Sequence, residues 1–258
     1  MTDTADKART FAALHSAPEI LRLVNVWDAV SAKVIADLPG TRALATAGHS
    51  IAASHGYPDG EQIPLDLTIA AIARITAATE LPVTVDLDSG YGDPGETARR
   101  AVGAGAVGAN VEDAMKPLAD SVAAVRAVIA AGEAEGVPFV LNARTDALIK
   151  GGKRPLEESI ADAIERGRAY LAEGATTVFV PGLLTADTTR RLVDGIGDRK
   201  ISVIGVPGNL AAAEYEALGV ARISYGPLPQ RVALTALKRV ALDLMADGVI
   251  PADTEALN

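Results

Sequence analysis

The residues from Leu81 to Asp93 read LPVTVDLDSGYGD, a short apolar strand that leads into two acidic residues and a glycine-rich turn. Because side chains two residues apart on a strand point to the same face, we expect Asp86 and Asp88 to project together. Two adjacent carboxylates are costly to bury unless a cation or a proton lies between them. Oxygen ligands beside a glycine turn suit a hard ion such as Mg²⁺, although an isolated Asp-x-Asp is more often a solvated turn.

The composition favours one α/β domain and excludes several kinds of site. The chain has 258 residues, about the length of one α/β barrel, and 49% of them are hydrophobic while only 3% are aromatic. Cysteine is absent, which excludes disulfides, thiolate metal sites and a cysteine nucleophile. The net charge of −9 gives no basic surface for nucleic acid or an anionic membrane. With no apolar run near the roughly 20 residues of a membrane span and no signal-peptide pattern, we expect a cytoplasmic protein.

Strand patterns and helix patterns alternate along the chain. The predicted strands are 21–26, 43–46, 83–87, 107–111, 139–143, 177–180, 201–206 and 222–225, and the predicted helices are 4–14, 29–38, 65–79, 94–103, 119–135, 156–173, 186–195, 210–218 and 229–246. Residues 55–63 are expected to form a long polar connection. Eight strand–helix units predict a single-domain (β/α)8 TIM barrel, with a helical extension at 1–20 and a final helix and tail at 229–258. A doubly wound sheet is the alternative.

Polar residues follow most of the predicted strands. In a (β/α)8 barrel these positions surround one active-site mouth. The residues are Asp28, Thr46 to His49, Asp86, Asp88, Glu112, Asp113, Asn142, Arg144, Asp146 and Asn209. Several carboxylates on one ring would repel each other without a cation, so the Mg²⁺ site becomes the preferred interpretation. Arg144 would supply a fork for a carboxylate or phosphonate, and Asn209 and His49 are candidate substrate contacts.

Other residues carry less functional signal. His15 and His55 are expected to be structural or to lie in a loop. Lys116 and Lys150 fall in the loops after strands four and five, and because no lysine lies within a predicted strand, a Schiff-base lysine is not favoured. A phosphate-binding GxxxxGK[ST] motif is absent, so nucleotide binding has little support.

Four segments resemble the isocitrate lyase/phosphoenolpyruvate mutase superfamily in their order along the chain. They are NVWDA at 25–29, VDLDSGYG at 85–92, NVED at 110–113 and NARTD at 142–146, and the resemblance extends over residues 21–237. It implies a (β/α)8 barrel that uses Mg²⁺, with Mn²⁺ as the alternative ion. It also implies that a small α-keto or α-hydroxy carboxylate is the substrate, with a C–C or P–C bond made or broken beside its carbonyl group.

The same resemblance implies roles for individual residues. Asp86 and Asp88 match the metal-binding pair, and Glu112 completes the shell, partly through water. Arg144 matches the residue that holds the substrate carboxylate or balances an enolate. Thr46, Ala47 and Gly48 fall where a loop contacts substrate, and Asp59 matches an aspartate at the reacting centre of the mutase branch. Family members exchange the last helix between subunits, so a dimer or tetramer with a swapped C-terminal helix is expected.

Two departures from the family narrow the function. The family's lyases of isocitrate and methylisocitrate carry a catalytic cysteine, which this chain lacks, and the mutase branch carries a longer loop after strand four than residues 112–118 provide. The preferred hypothesis is a Mg²⁺-dependent lyase that cleaves a C–C bond through a pyruvate-enolate-like intermediate. P–C chemistry on a phosphonopyruvate-like substrate and a non-catalytic barrel that binds keto acids are the alternatives.

Overall fold

The protein, described over residues 2–257 by a computed structural model, is built around one parallel sheet. The strands are β1 (Leu21–Leu23), β2 (Asn25–Val26), β3 (Leu44–Thr46), β4 (Val83–Asp86), β5 (Gly108–Glu112), β6 (Val140–Arg144), β7 (Thr177–Phe179), β8 (Ile201–Ile204) and β9 (Val220–Ser224). The helices are α1 (Thr2–His15), α2 (Ala29–Ala36), α3 (Gly48–Ser54), α4 (Leu65–Ala77), α5 (Pro94–Gly103), α6 (Leu118–Ala134), α7 (Leu156–Ala172), α8 (Ala186–Ile196), α9 (Ala212–Ala217) and α10 (Leu228–Met245). No helix within 2–257 has the length and apolar character to span a membrane.

The sheet closes on itself through its first strand. β1 pairs in parallel with β9, β2 pairs in parallel with β3, and each remaining strand pairs with the next along the chain. The predicted strand 21–26 is therefore interrupted at Val24, and its two parts join the two edges of the sheet. The predicted TIM barrel is confirmed, and the doubly wound alternative is wrong.

Local sequence explains where two of the helices begin. Asp28 precedes α2 and accepts a hydrogen bond from the Ser31 backbone N–H at 2.7 Å, while the Asp28 N–H donates to the Ser31 hydroxyl at 3.1 Å. This reciprocal pair is a capping box. Asp93 caps α5 by a single bond, in which its side chain accepts from the Glu96 N–H, and Pro94 occupies the first turn, where its missing N–H costs nothing.

One helix, α3, lies where the sequence predicts the end of a strand followed by a loop. Residues Gly48–Ser54 form α3, which brings the first residues after β3 back across the top of the barrel. The helix is short and contains Gly48, His49 and two serines, so it has no long apolar period to detect. Its first turn contributes to the site described below.

A polar layer crosses the barrel interior beneath the strand ends. Asn142 donates to Asn110 at 2.8 Å and accepts from Thr177 at 2.7 Å, and the guanidinium group of the fully buried Arg222 donates to Asn110 at 3.1 Å. Burial lowers the pKa of Arg222 to about 9, and the negative charge of Asp86 opposes that shift. His15 at the end of α1 is buried below this layer, so its predicted structural role is consistent with the fold.

Candidate active site

The carboxyl ends of the strands enclose a cavity of about 540 Å³. Its wall includes most of the residues that the sequence singled out as candidates. They are Thr46, Ala47, His49, Asp59, Asp86, Asp88, Glu112 and Arg144. Gly48 lies directly behind this wall, because its N–H donates to Asp86 Oδ2 at 2.9 Å. The predicted convergence on one mouth is therefore observed for these residues, whereas Asn209, Asp28, Asp113, Asn142 and Asp146 do not line the cavity.

The Asn209 side chain bonds to backbone groups and does not line the cavity. Its amide nitrogen donates to the carbonyl oxygens of Gly182 at 3.0 Å and Ile204 at 2.8 Å, and its Oδ1 accepts from the Leu184 N–H at 2.9 Å. These three bonds join the loops after β7 and β8. The structure therefore assigns Asn209 a structural position, in place of the substrate contact that the sequence predicted.

Two other predicted members of the acidic ring also turn away from the mouth. Asp28 caps α2. Asp113 accepts from the Tyr170 hydroxyl at 2.8 Å and from Arg166 at 3.2 Å, behind β5. A residue that directly follows a strand can point into the barrel mouth or outward to the helices, and the two cases have the same sequence signal.

Asp86 and Asp88 are held side by side at the end of β4. The Asp86 N–H donates to the Thr46 hydroxyl at 3.0 Å, and the Asp88 backbone has a left-handed φ of 48°. A β-carbon built on Gly48 would lie 3.1 Å from Asp86 Oδ2 and 3.5 Å from Asp88 Oδ2, so the two carboxylates face one space that a side chain would fill.

Burial, together with nearby negative charge, raises the pKa values of both carboxylates. Burial is the largest cause for both, and it raises the pKa of Asp88 to about 8 together with the charges of Asp86, Asp59 and Glu112. The pKa of Asp86 is also raised by burial, although the Gly48 N–H and the charge of Arg144 oppose the shift. A cation between the two groups would remove this repulsion.

Glu61 holds the glycine turn in place, and sequence analysis did not identify it. Its Oε1 accepts from the Ser89 N–H at 2.9 Å, the Ser89 hydroxyl at 2.9 Å and the Tyr91 N–H at 2.8 Å. Glu61 itself lies two residues after Asp59, so this carboxylate ties the Asp59 segment to the Asp88 turn. A single acidic residue in a polar connection gave no distinguishing signal.

Arg144, at the end of β6, is surrounded by carboxylates. Its Nη1 lies 2.8 Å from Glu112 Oε2 and its Nε lies 2.7 Å from Asp146 Oδ1. Burial would lower the pKa of Arg144, but the charges of Glu112, Asp146 and Asp86 outweigh burial and raise it. The arginine is therefore always a cation at the cavity wall.

The oxygen ligands at the mouth fit a magnesium ion held mainly by two carboxylates. Over the described residues 2–257, no three His, Cys, Asp or Glu side chains form a ready-made metal cage. Glu112 faces Arg144 and Lys150 here, so the adjacent pair Asp86 and Asp88 would supply the direct ligands of such an ion. This arrangement suits Mg²⁺, which commonly uses one or two carboxylates and keeps several waters.

Apolar side chains form another part of the cavity wall, and their role was not predicted from the sequence. They are Ile149, Phe179, Pro181, Leu183, Ile204 and Val206. Leu183 is 70% exposed and Ile149 is 46% exposed, so both present apolar surface to whatever enters. An apolar residue at a strand end has the same sequence appearance as a core residue, which explains why this wall was not predicted.

Relatives of the chain match nearly its whole length. The phosphoenolpyruvate phosphomutase family model matches residues 11–245. The oxaloacetate decarboxylase of Rhodopseudomonas palustris (strain HaA2) is 30% identical over 256 residues, which cover 95% of this chain and 87% of that protein. The 2-methylisocitrate lyase of Shewanella oneidensis MR-1 is 32% identical over 207 residues, covering 74% and 67% of the two chains.

A solved structure agrees with these matches. A Burkholderia cenocepacia J2315 protein, provisionally named a phosphonomutase, is 40% identical and superposes with a TM-score of 0.86, covering 92% of this chain and 98% of its own. Fold, site and relatives lead to the same assignment. This chain belongs to the isocitrate lyase/phosphoenolpyruvate mutase superfamily, whose members are lyases and mutases.

Proposed function

We propose that the protein is a Mg²⁺-dependent lyase that cleaves a C–C bond in a small 2-keto or 2-hydroxy carboxylate. The observation that carries this proposal is the placement of Asp86, Asp88 and Arg144 on the wall of one cavity at the carboxyl ends of the strands. A paired oxygen site beside a fixed cation can bind a metal and an anionic substrate together.

The acidic pair and the arginine would have separate tasks. Asp86 and Asp88 would hold the metal, which when bound would polarise the keto oxygen of the substrate and stabilise a pyruvate-enolate-like intermediate. Mn²⁺ is expected to substitute for Mg²⁺, because both accept oxygen ligands. Arg144 holds the substrate carboxylate. Thr46, at the end of β3, and Ala47, Gly48 and His49, directly after it, border the reacting end.

The loop after β5 is too short to form a lid that would protect an intermediate from water. Only residues 113–117 separate β5 from α6, and Asp113 fixes them by accepting from the Met115 N–H at 3.0 Å. Ala114 and Met115 both have left-handed φ angles, of 46° and 58°. A segment this short and this constrained cannot fold over the mouth as a lid, which supports a substrate that fills the cavity itself.

The test is turnover of a substrate panel followed by NMR. The panel contains oxaloacetate, phosphonopyruvate, 2-methylisocitrate and alkylmalates, each with Mg²⁺ and with EDTA. Mg²⁺-dependent release of pyruvate or another keto acid from a panel member is the expected result. Equal turnover of that member in EDTA would contradict the metal assignment.

Asp59 supports P–C bond chemistry as the second candidate function. It is exposed and lines the cavity on the side of the acidic pair, and Glu61 ties its segment to the Asp88 turn. In this alternative Asp59 acts at the reacting centre of a phosphonopyruvate-like substrate. An Asp59→Ala enzyme that turned over phosphonopyruvate at the wild-type rate would exclude it.

The last helix supports a homo-oligomer as part of the proposal. Along α10, Val232, Leu234, Leu237 and Met245 are exposed by 55% to 88%, far more apolar surface than one helix of a monomer usually leaves in water. Exchange of α10 between subunits of a dimer or tetramer would bury this face. Light scattering on the purified chain tests it, and a monomer at micromolar concentration would contradict it.

A further inference from the structure

Lys150 lies on the cavity wall although the sequence placed it in a loop with no assigned role. It follows β6, and its side chain is 47% exposed and borders the mouth. Its N–H donates to the Asp146 carbonyl at 2.7 Å, and the next residue is Gly151, where a β-carbon would lie 2.6 Å from the Ala147 carbonyl oxygen. The tight turn therefore fixes the backbone from which Lys150 reaches the cavity.

Lys150 completes a ring of four alternating charges with Arg144. Its Nζ lies 3.1 Å from Glu112 Oε1 and 2.6 Å from Asp146 Oδ2. The contact with Asp146 is an ion pair that lacks the angles of a hydrogen bond. Arg144 closes the ring through its contacts of 2.8 Å to Glu112 and 2.7 Å to Asp146. Two cations and two carboxylates leave this corner of the cavity close to neutral.

The two carboxylates of the ring differ in their freedom to move. The Asp146 side chain is completely buried, and the Asp146 N–H is bonded to Asp113 Oδ1 at 3.1 Å, which holds the residue in place. The Glu112 side chain is 15% exposed and lines the cavity. Glu112 is therefore the member that an incoming group can displace.

We propose that Lys150 is a second substrate-holding cation, which binds the carboxylate end of the substrate together with Arg144, in the place that Glu112 occupies in this structure. The proposal rests on the proposed function, because it requires an anionic substrate. A third carboxylate added beside the intact ring would give three anions against two cations. Displacement of Glu112 keeps the charges alternating, so exchange is the arrangement with less repulsion.

The displaced Glu112 remains next to the acidic pair. Its backbone N–H donates to the Asp88 carbonyl at 2.7 Å, so the residue stays beside the end of β4 whichever way its side chain turns. Once released from Lys150 and Arg144, the carboxylate can join Asp86 and Asp88 around a metal. Substrate and metal would then bind cooperatively, because each favours the same position of Glu112.

Oxalate is the probe for this exchange, because it is a planar dianion that resembles the enolate of pyruvate. Its affinity is measured by calorimetry with saturating Mg²⁺ for the wild type, Lys150→Met and the control Lys153→Met. Lys153 is exposed and lies in the same loop, and it makes no ion pair within the described residues 2–257. We expect Lys150→Met to weaken oxalate binding by about 10- to 100-fold, as for loss of a charged hydrogen bond, with Lys153→Met unchanged.

Two further measurements distinguish substrate holding from a merely structural effect. Mn²⁺ binding without oxalate, followed by electron paramagnetic resonance, should be no weaker in Lys150→Met than in the wild type, because Lys150 competes with the metal for Glu112. In EDTA, Glu112→Gln should bind oxalate several-fold more tightly than the wild type, because the competing anion has been removed. With a substrate from the panel, Lys150→Met should raise KM and leave kcat within a few-fold.

The failure of this inference can be told apart from the failure of the proposed function. Unchanged oxalate affinity in Lys150→Met, beside a wild type that binds Mn²⁺ and oxalate, would overturn the role of Lys150 alone. Weaker Mn²⁺ binding in Lys150→Met would also overturn it, because Lys150 would then act by supporting the carboxylates. A wild-type protein that binds neither Mn²⁺ nor oxalate would overturn the proposed function and this inference with it.

Discussion

The wall of the cavity is charged where β4, β5 and β6 end, whereas it is apolar from the end of β7 to the end of β8 and at Ile149 in the loop after β6. The charged half contains Asp86, Asp88, Glu112 and Arg144. The Asp86 carboxylate accepts from the Gly48 N–H, Glu112 pairs with Arg144, and the Asp88 backbone carbonyl accepts from the Glu112 N–H. The apolar half exposes Leu183 and Ile149 without any polar partner at the cavity surface. Within the proposed function, the charged half performs the chemistry and the apolar half selects the substrate, so substitutions in the two halves should have different kinetic signatures.

The largest effect is expected from Asp86→Asn in the charged half. The amide preserves the shape of the side chain but removes the charge that faces the metal, so turnover should fall by about a thousandfold or more. The metal-free variant should unfold at the same temperature as the metal-free wild type or higher, because burial raises the pKa of Asp86 and the ionised group is disfavoured there.

A matched control makes this comparison specific. Asp120→Asn removes an exposed aspartate from the first turn of α6 that does not line the cavity, and it should leave turnover within twofold. Full activity in Asp86→Asn would remove the distinction between a chemical half and a selecting half.

A second effect, on metal affinity, follows from the pKa of about 8 for Asp88. Below that pH the metal-free carboxyl group carries a proton that Mg²⁺ must displace, so the apparent affinity should rise about tenfold per pH unit from pH 6 towards 8 and then level off. Calorimetry at pH 6, 7, 8 and 9 measures the slope. Equal affinity at pH 6 and pH 8 would contradict it.

The same raised pKa sets the sign of the stability change without metal. An unfolded aspartate releases its proton near pH 4, whereas folded Asp88 keeps it until about pH 8. The contribution to stability is complete below pH 4 and is lost as the pH rises through 8. Mg²⁺ should therefore stabilise the protein more at pH 8 than at pH 6, and Asp88→Asn should abolish that difference.

A smaller effect is expected in the apolar half. Leu183→Asp places a charge on the apolar wall and removes its contact with the substrate, so KM should rise about tenfold while kcat stays within a few-fold. Leu156→Asp, at an exposed leucine outside the cavity wall, is the control. A large loss of kcat in Leu183→Asp, with KM unchanged, would show that the two halves do not divide their tasks.

The smallest effect should come from Glu61, which supports the charged half from outside. Glu61→Ala removes the acceptor of three hydrogen bonds, so kcat should fall by about three- to tenfold and the free energy of unfolding by about 1–3 kcal/mol. Glu61→Gln retains an oxygen at the same position and should recover most of both. A Gln variant as impaired as the Ala variant would mean that the charge of Glu61, and not its acceptor oxygen, is what matters.

The charged half was predictable from sequence because burial is costly for charges. Several charged residues that follow neighbouring predicted strands indicate a shared site, and the structure brings Asp86, Asp88, Glu112 and Arg144 to one cavity. Asn209 and Asp113 follow strands in the same way, yet both bond to other loops or helices. The direction of a side chain after a strand depends on turn geometry, which the residue type does not encode.

The apolar half could not be predicted, because burial of an apolar residue is favourable and needs no functional site to explain it. Phe179 and Ile204 are the last residues of apolar strands whose other residues are buried. Their sequence pattern is the same whether they face the cavity or pack in the core. Lys150 was visible only as a loop lysine, because its contact with Glu112 joins residues 38 positions apart. The fold was predictable from alternating patterns, and only α3 was too short to be detected.

The five residues between β5 and α6, which Asp113 holds in place, also bear on which step limits the rate of turnover. In enzymes with a mobile lid, opening of that lid often limits the turnover rate. Here the segment has no length with which to open or close, so its motion cannot be the slow step. Product should leave through a mouth that this segment never shuts, so its opening should add no viscosity-dependent step to turnover.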